Sequence, residues 1–303
     1  MNNTYDVIII GSGPAGMSAA IYASRGNLKT LIIEKDTPGG QMVKTEKITN
    51  YPGYKEIDGA TLAYNMYEQV LSLNIPYAYE DVIDIKKEND KFLVITNSNE
   101  YISKNIIIAT GTLYNSLGVR NEKKYLGKGI SYCAVCDGKL FTNKDILVIG
   151  GGDSALKESI YLSTFAKKIY LIHRRNEFRG ALNLQENVKA NPKIEIFTPY
   201  VLNTINGNEK IDNVEIKNVL TNETKILNVS GIFPFIGSSP STYFLKNLNL
   251  EYLNGYIKVD DNFKTNIKNV YAVGDVINSN LRQIVTACSS GAIAAQDIAN
   301  NNN

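Results

Sequence analysis

The chain has 303 residues, 44% of them hydrophobic and 20% charged, the profile of an ordinary globular protein long enough for two domains. With 32 basic residues against 30 acidic ones the net charge is +2, and no basic block or arm stands out, which argues against nucleic acid as a partner. Three cysteines are too few and too odd for a secreted disulfide scaffold, a single histidine rules against an all-Cys/His zinc site, and no apolar run reaches spanning length. A cytoplasmic protein with neither a metal nor a membrane partner is expected.

The first predicted element is a strand, Tyr5-Asp6-Val7-Ile8-Ile9-Ile10, followed at once by Gly11-Ser12-Gly13-Pro14-Ala15-Gly16 and a small-residue helix to about residue 24. The loop matches G-x-G-x-x-G. In that pattern Gly11 permits the tight turn, Gly13 lets a pyrophosphate approach the backbone, and Gly16 allows close helix–strand packing. The free N–H groups and positive dipole end of the helix then hold phosphate. Thr30 to Glu34 reads as the next strand, and Glu34 at its end is placed to accept hydrogen bonds from an adenosine ribose. Phe92 to Thr96 and Ile106 to Ile108 read as further strands, ending in Ala109-Thr110-Gly111.

Cys133-Ala134-Val135-Cys136-Asp137-Gly138 carries the sharpest signal. Two thiols at this spacing can close a small ring and open it again, as dithiol–disulfide exchange requires. Half a zinc site is the alternative, but no second Cys-x-x-Cys or His pair completes it; a pair of core cysteines is another. Asp137 is a candidate proton donor or acceptor for the thiolate if burial lifts its pKa, and equally a candidate Asx turn or helix cap.

Ile146 to Ile149 is a strand, and Gly150-Gly151-Gly152-Asp153-Ser154-Ala155 repeats the glycine fingerprint, with Ala155 at the last small position. Lys168 to His173 is the strand that follows, but His173-Arg174-Arg175, with Arg179 close behind, stands where the first unit has Glu34. Guanidiniums there suit a 2′-phosphate by charge and bidentate geometry, so NADP(H) is expected rather than NAD(H); a solvated basic loop is the plainer reading. His173 is assigned to the same phosphate site, with an ordinary strand-end histidine as its alternative. Residues 194–235 are rich in β pattern. Asn269 to Asp275 is a late strand ending in Gly274-Asp275, Gln283 to Ile298 a helix, and Asn300 to Asn303 a frayed tail. Cys288 has no partner at redox spacing and reads as a packing residue.

Strand, glycine turn, helix and strand thus occur twice, at 5–34 and 146–173, which implies two dinucleotide-binding folds. The expected fold class is α/β, with two Rossmann-like domains of the three-layer ββα type and the second inserted into the first. Connections are expected near 112–118 and 237–243.

Together and in this order, these motifs, with Gly39-Gly40-Gln41 and Arg282-Gln283, resemble the low-molecular-weight thioredoxin reductases over nearly the full chain. The resemblance implies an FAD-binding domain at 1–114 and 243–303 and an NADPH-binding domain at 115–242 that carries Cys133 and Cys136. It implies FAD held by the first fingerprint, Glu34, Gly40, Gln41, Asn50, Ala109-Thr110-Gly111, Gly274 and Asp275, with Arg282 and Gln283 facing the isoalloxazine. It implies NADPH on Gly150, Gly152, Asp153, Ser154, Ala155, His173, Arg174, Arg175 and Arg179. It further implies a homodimer, thioredoxin or a thioredoxin-like protein as disulfide substrate, and rotation of the inner domain between half-reactions. Val135 departs from a frequent Thr, Lys157 from a frequent acid, and Cys288 from other small residues.

Three rivals are weighed. A ferredoxin-linked thioredoxin reductase would need no nicotinamide, against the second glycine loop and the arginines. A flavin-dependent ferredoxin–NADP reductase would need no cysteine pair. A non-catalytic nucleotide-binding module would have no use for a redox pair beside two dinucleotide folds.

Overall fold

A computed structural model describes residues 4–45 and 47–301. The chain divides into two compact units, residues 1–113 with 239–303 and residues 114–238.

In the first unit, strand β1 (Thr4–Ile10) leads through the glycine loop into helix α1 (Pro14–Arg25) and strand β2 (Thr30–Ile33). Helix α2 (Gly59–Leu71) was not expected. Asp58 caps it by accepting from Thr61 N–H at 2.9 Å, and Leu62, Ala63, Met66 and Val70 form its buried face. Strands β3 (Tyr77–Ala78), β4 (Val82–Glu88), β5 (Lys91–Thr96) and β6 (Glu100–Ile108) follow, and β7 (Thr112–Tyr114) carries the chain from the first unit into the second. Among the described residues a seven-stranded sheet runs in the order β3-β2-β1-β6-β5-β4, with one later strand also paired to β6.

Strand β6 is longer than the expected 106–108. Its first half alternates exposed and buried residues and pairs antiparallel with β5; its last residues are buried on both faces and pair parallel with β1. The polar half of such a strand has no apolar run to betray it. Side chains of β1 alternate between two cores. Val7 and Ile9 pack with Ile32 and Ile107 against the helices, while Ile8 and Ile10 pack with Leu31 and Ile33 against Ile85, Phe92 and Val94 of the antiparallel layer. Each such fully buried aliphatic side chain stabilises the fold by about 1.5–3 kcal/mol.

The second unit contains the short helices α3 (Glu122–Tyr125) and α4 (Ala134–Asp137), then strand β8 (Asp145–Ile149), helix α5 (Asp153–Leu162), strand β9 (Lys168–Ile172), helix α6 (Leu182–Ala190) and strand β10 (Ile194–Phe197). Strands β11 (Tyr200–Asn206), β12 (Asn213–Asn218) and β13 (Thr224–Asn228) form an antiparallel sheet, and β14 (Gly231–Pro234) completes a parallel sheet in the order β10-β9-β8-β14. The layering repeats that of the first unit. Ile146, Val148, Ile169 and Leu171 face Leu156, Leu162 and Val188 of the helices, while Leu147, Ile149 and Ile172 face Ile205, Val214 and Ile216 of the antiparallel sheet. This is the α/β architecture with two Rossmann-like folds that the repeated glycine units imply.

Strands β15 (Ser238–Pro240), β16 (Tyr252–Leu253), β17 (Tyr256–Ile257) and β18 (Val270–Ala272) lead to helix α7 (Ile284–Asn301). Strand β18 pairs parallel with β6 and is shorter than expected, because Gly274, at φ +72°, opens a 3-10 turn over Gly274–Val276. Helix α7 lies along α1, and a Cβ added to Gly291 would come within 2.0 Å of the Ala15 carbonyl oxygen. The expected frayed tail is instead helical through Asn301, whose Nδ2 donates to the Asp297 carbonyl at 2.7 Å. Asn302 and Asn303 lie outside the described residues. No described helix is long and apolar enough to cross a membrane.

Candidate functional site

Parallel pairing of β1 with β2 brings the first glycine loop beside the end of β2. Gly11 has φ +101°, and a Cβ there would stand 2.5 Å from the Ala109 carbonyl oxygen, so the turn requires glycine. A Cβ on Gly16 would come within 1.9 Å of the Gly11 carbonyl oxygen, the close packing that seats α1 on the loop. Gly13 is different: its backbone is extended, and nothing lies within 4 Å of where a Cβ would be. That open space before Pro14 and Ala15 at the start of α1 fits the approach of a pyrophosphate.

Ser12 N–H donates to Glu34 Oε2 at 2.6 Å, Asp36 N–H donates to Oε1 at 2.9 Å, and the Ser12 hydroxyl meets the Tyr77 hydroxyl at 3.1 Å. Burial pushes the Tyr77 phenol up to about 12, so it remains a hydrogen-bonding hydroxyl at neutral pH. Tyr77 was not anticipated. In a strand of two residues nothing local marks it, and its partner lies 65 positions away.

Gly39 N–H donates to the Ser12 carbonyl at 2.7 Å, which folds Gly40 and Gln41 against the loop; Gln41 Nε2 reaches the Thr112 carbonyl at 3.2 Å. Ala109 N–H donates to the Ile10 carbonyl, Thr110 Oγ1 to the Ser241 carbonyl, and the Gly111 carbonyl accepts from Ser241 N–H. Asn50 Nδ2 donates to Gln283 Oε1 at 2.9 Å across 233 positions. Gly274 N–H donates to Ser290 Oγ at 3.0 Å. Asp275 lines a cavity of about 250 Å³ with Gly274, Leu281, Ala287 and Ser290. Burial raises its carboxyl above the ordinary range, and Arg282 opposes that shift. The Arg282 guanidinium lies 4.1 Å over the Tyr256 ring, while its Nε is buried without a hydrogen-bond partner. An orphaned donor beside a buried carboxyl and an open glycine loop form a donor set that fits a dinucleotide carrying a polar ring system. All the first-unit residues expected at FAD therefore belong to one unit.

In the second unit Cys133 and Cys136 are joined by a disulfide, and in that state neither sulfur is a thiolate. Cys133 precedes the one-turn helix α4, and Cys136 N–H donates to Cys133 Sγ at 3.1 Å. Ser131 holds the entry: its hydroxyl accepts from Cys133 N–H at 3.1 Å, and its own N–H donates to the Ile232 carbonyl in β14. Asp137 is half-buried, with its N–H on the Cys133 carbonyl at 3.1 Å. Val135 between the cysteines is 50% exposed, so the loop faces outward from its unit.

The second glycine loop has the geometry of the first. Gly150 has φ +151° and packs under the Phe235 carbonyl, Gly152 is extended with open space beside it, and Ala155 is buried. The Gly151 carbonyl accepts from Arg179 N–H at 2.7 Å and Gly180 N–H at 3.1 Å, and Asp153 Oδ1 accepts from Ala181 N–H at 2.8 Å. These bonds fold the arginine loop back over the glycine loop. Arg174, Arg175, Arg179 and Ser154 are exposed there. His173 is not: it is 5% exposed, with its ring behind Gly151 and 5.6 Å from that of Phe178, and its Nε2 has no partner. Burial holds its pKa below the ordinary value; a backbone hydrogen bond with Glu177 opposes this, and the charges of Arg179, Arg174 and Arg175 reinforce it. An extended Gly152 at the helix start, with three exposed guanidiniums beside it, fits a phosphorylated nucleotide.

A family model described as pyridine nucleotide-disulphide oxidoreductase matches residues 5–291. The chain is 42% identical over 295 residues to the thioredoxin reductase of Bacillus subtilis (strain 168), covering 97% of this chain and 93% of that protein. It is 41% identical over 294 residues to the thioredoxin reductase of Ureaplasma parvum, covering 96% and 94%. The crystal structure of thioredoxin reductase from Streptococcus pyogenes MGAS5005 matches with a TM-score of 0.94 at 45% identity, covering 98% of both chains.

Proposed function

The chain belongs to the pyridine nucleotide-disulphide oxidoreductase family of flavoproteins, and from that premise we propose that it is an NADPH-dependent thioredoxin reductase. The observation that carries this reading is the company kept by the disulfide: Cys133–Cys136 shares one unit with a glycine loop flanked by arginines, while the other unit pairs a glycine loop with an acid.

In this reading the outer unit, approximately the domain 1–114 and 243–303, holds FAD, with Glu34 on the ribose and Gly13 under the pyrophosphate. Gln41, Asn50, Asp275, Arg282 and Gln283 serve the flavin. The start of α7 offers its positive dipole end to negative charge at that site. The inner unit, approximately 115–242, holds NADPH, with Arg174, Arg175 and Arg179 on the 2′-phosphate. When bound, the nicotinamide and flavin supply the hydride chemistry that delivers two electrons to the disulfide.

The cysteines do the rest. Two electrons and one proton break the Cys133–Cys136 bond into a thiolate and a thiol. The thiolate attacks one sulfur of the thioredoxin disulfide, forming a mixed disulfide and releasing a thiolate on the partner. The second cysteine, deprotonated, attacks the mixed disulfide, restores Cys133–Cys136 and frees the partner's second sulfur. The proton it gives up and one from solvent leave the partner as a dithiol. Asp137, the residue after Cys136 and half-buried, carries the proton to and from this pair. A cytoplasmic homodimer completes the reading.

The test is steady-state NADPH oxidation with oxidised thioredoxin. Cys133→Ser and Cys136→Ser are each expected to abolish thioredoxin reduction while NADPH still reduces the flavin. Sustained thioredoxin turnover in either variant would contradict the role given to the pair.

A further inference from the structure

Glu122, at the start of α3, is 9% exposed, yet it carries a carboxylate that no dinucleotide or redox role claims. Both its oxygens are in use. Oε2 accepts from Ser116 Oγ at 2.6 Å and Gly118 N–H at 3.1 Å; Oε1 accepts from Leu117 N–H at 2.9 Å and Tyr132 OH at 3.1 Å. Burial raises its pKa, and these four donors more than reverse that, leaving it below the ordinary carboxyl range. The phenol it receives belongs to the residue immediately before Cys133. That ring also stacks on Tyr114, with centroids 4.3 Å apart and planes 9° from parallel.

The chain therefore returns to its own start. Residues 114–118 open the second unit, and Glu122 and Tyr132 tie them to the backbone that enters Cys133, where Ser131 takes over. A buried carboxylate costs several kcal/mol to desolvate unless it is fully paired, so a fully satisfied one is a rigid junction. Nothing about folding α3, a helix of one turn, requires a tyrosine ten residues later.

We propose that Glu122 and Tyr132 are positioning residues of the redox centre: the Tyr132 hydroxyl on the Glu122 carboxylate, with the Tyr114–Tyr132 stack, fixes the backbone at Cys133 so that the disulfide is presented from a rigid platform to its electron donor and to the substrate disulfide. The proposal rests on the reading of Cys133–Cys136 as the electron relay. Tyr132→Phe keeps the stack and removes the anchor; Glu122→Gln removes the charge that gathers four donors.

The experiment is rapid anaerobic mixing of the oxidised flavoprotein with one two-electron equivalent of dithionite per flavin, following reoxidation of the reduced flavin by the Cys133–Cys136 disulfide, so that the nicotinamide side takes no part. Steady-state kcat and KM for thioredoxin are measured alongside. Tyr132→Phe and Glu122→Gln are each expected to slow internal transfer and kcat about tenfold, with KM for thioredoxin and flavin reduction by NADPH within about twofold of wild type. The double variant should lose no more than the worse single one, because both cut the same link. If both variants transfer at the wild-type rate while only their melting temperatures fall, the residues are structural and the inference is overturned. Additive losses in the double variant would also overturn it. Should Glu122→Gln fail to fold, Tyr132→Phe alone decides. If the wild-type flavin itself passes no electrons to the pair, it is the proposed function that fails.

Discussion

Ser12 N–H donates to the Glu34 carboxylate at 2.6 Å across 22 residues of chain. The contact follows from strand register, since Ile10 of β1 stands opposite Ile33 of β2, so the residues after both strands emerge side by side. An acid in that place is held by backbone amides on one side and leaves its remaining lone pairs to a ligand. Replacing Glu34 by Ala removes charged hydrogen bonds of about 1.5–3 kcal/mol, so flavin affinity should fall about tenfold to a hundredfold. Flavin retained after dialysis against increasing volumes checks this; unchanged retention would separate Glu34 from the flavin.

The glycines of the same loop separate folding from binding. Gly13 has an ordinary φ and open space for a Cβ, so Gly13→Ala should leave the apoprotein within about 0.5 kcal/mol of wild type while sharply weakening flavin binding. Gly11→Ala should instead destabilise the fold itself by about 1–3 kcal/mol, from its positive φ and the clash with Ala109. Thermal melts of the apoproteins, set beside flavin titrations, distinguish the two.

The arginines make a prediction about nucleotide choice. Removing Arg174 or Arg175 should cost about tenfold or more in kcat/KM for NADPH and leave NADH nearly untouched. The preference of the wild type should also shrink as salt rises, because these side chains are exposed. Parallel kinetics with the two nucleotides at low and high ionic strength is the measurement. An equal loss with both would place the arginines elsewhere than on a 2′-phosphate.

His173 makes a prediction about pH. Its pKa in the folded protein lies below the ordinary 6.5, so the unfolded chain binds the proton more tightly. Stability contributed by neutral His173 is therefore fully present above about 6.5 and is lost as pH falls from there toward the depressed folded value. The melting temperature of His173→Asn should depend less on pH across this window than that of wild type. Identical pH profiles would mean that the histidine is not held neutral by burial.

Much of this was legible because the informative groups act locally. Glycine loops, a four-residue cysteine motif and strands with β-branched residues on both faces declare themselves within ten residues. Other features depend on pairing across the chain. The polar half of β6 becomes a strand only through β5, and Tyr77 gains meaning only from Ser12. Glu122 draws no reading from its neighbours in sequence, and gains meaning only when the fold gathers Ser116, Leu117, Gly118 and Tyr132 around it. His173 illustrates the opposite case. Its motif places it beside exposed arginines, yet the packing of Gly151 puts its ring in the interior.

The most direct test of the account is an anaerobic titration of the flavoprotein with NADPH, reading flavin absorbance and then counting newly accessible thiols. The account predicts bleaching by NADPH at concentrations where NADH does little, and the appearance of the two thiols of Cys133 and Cys136. A flavin that dithionite reduces but NADPH leaves oxidised would contradict it, and would make a ferredoxin-type protein the leading electron donor.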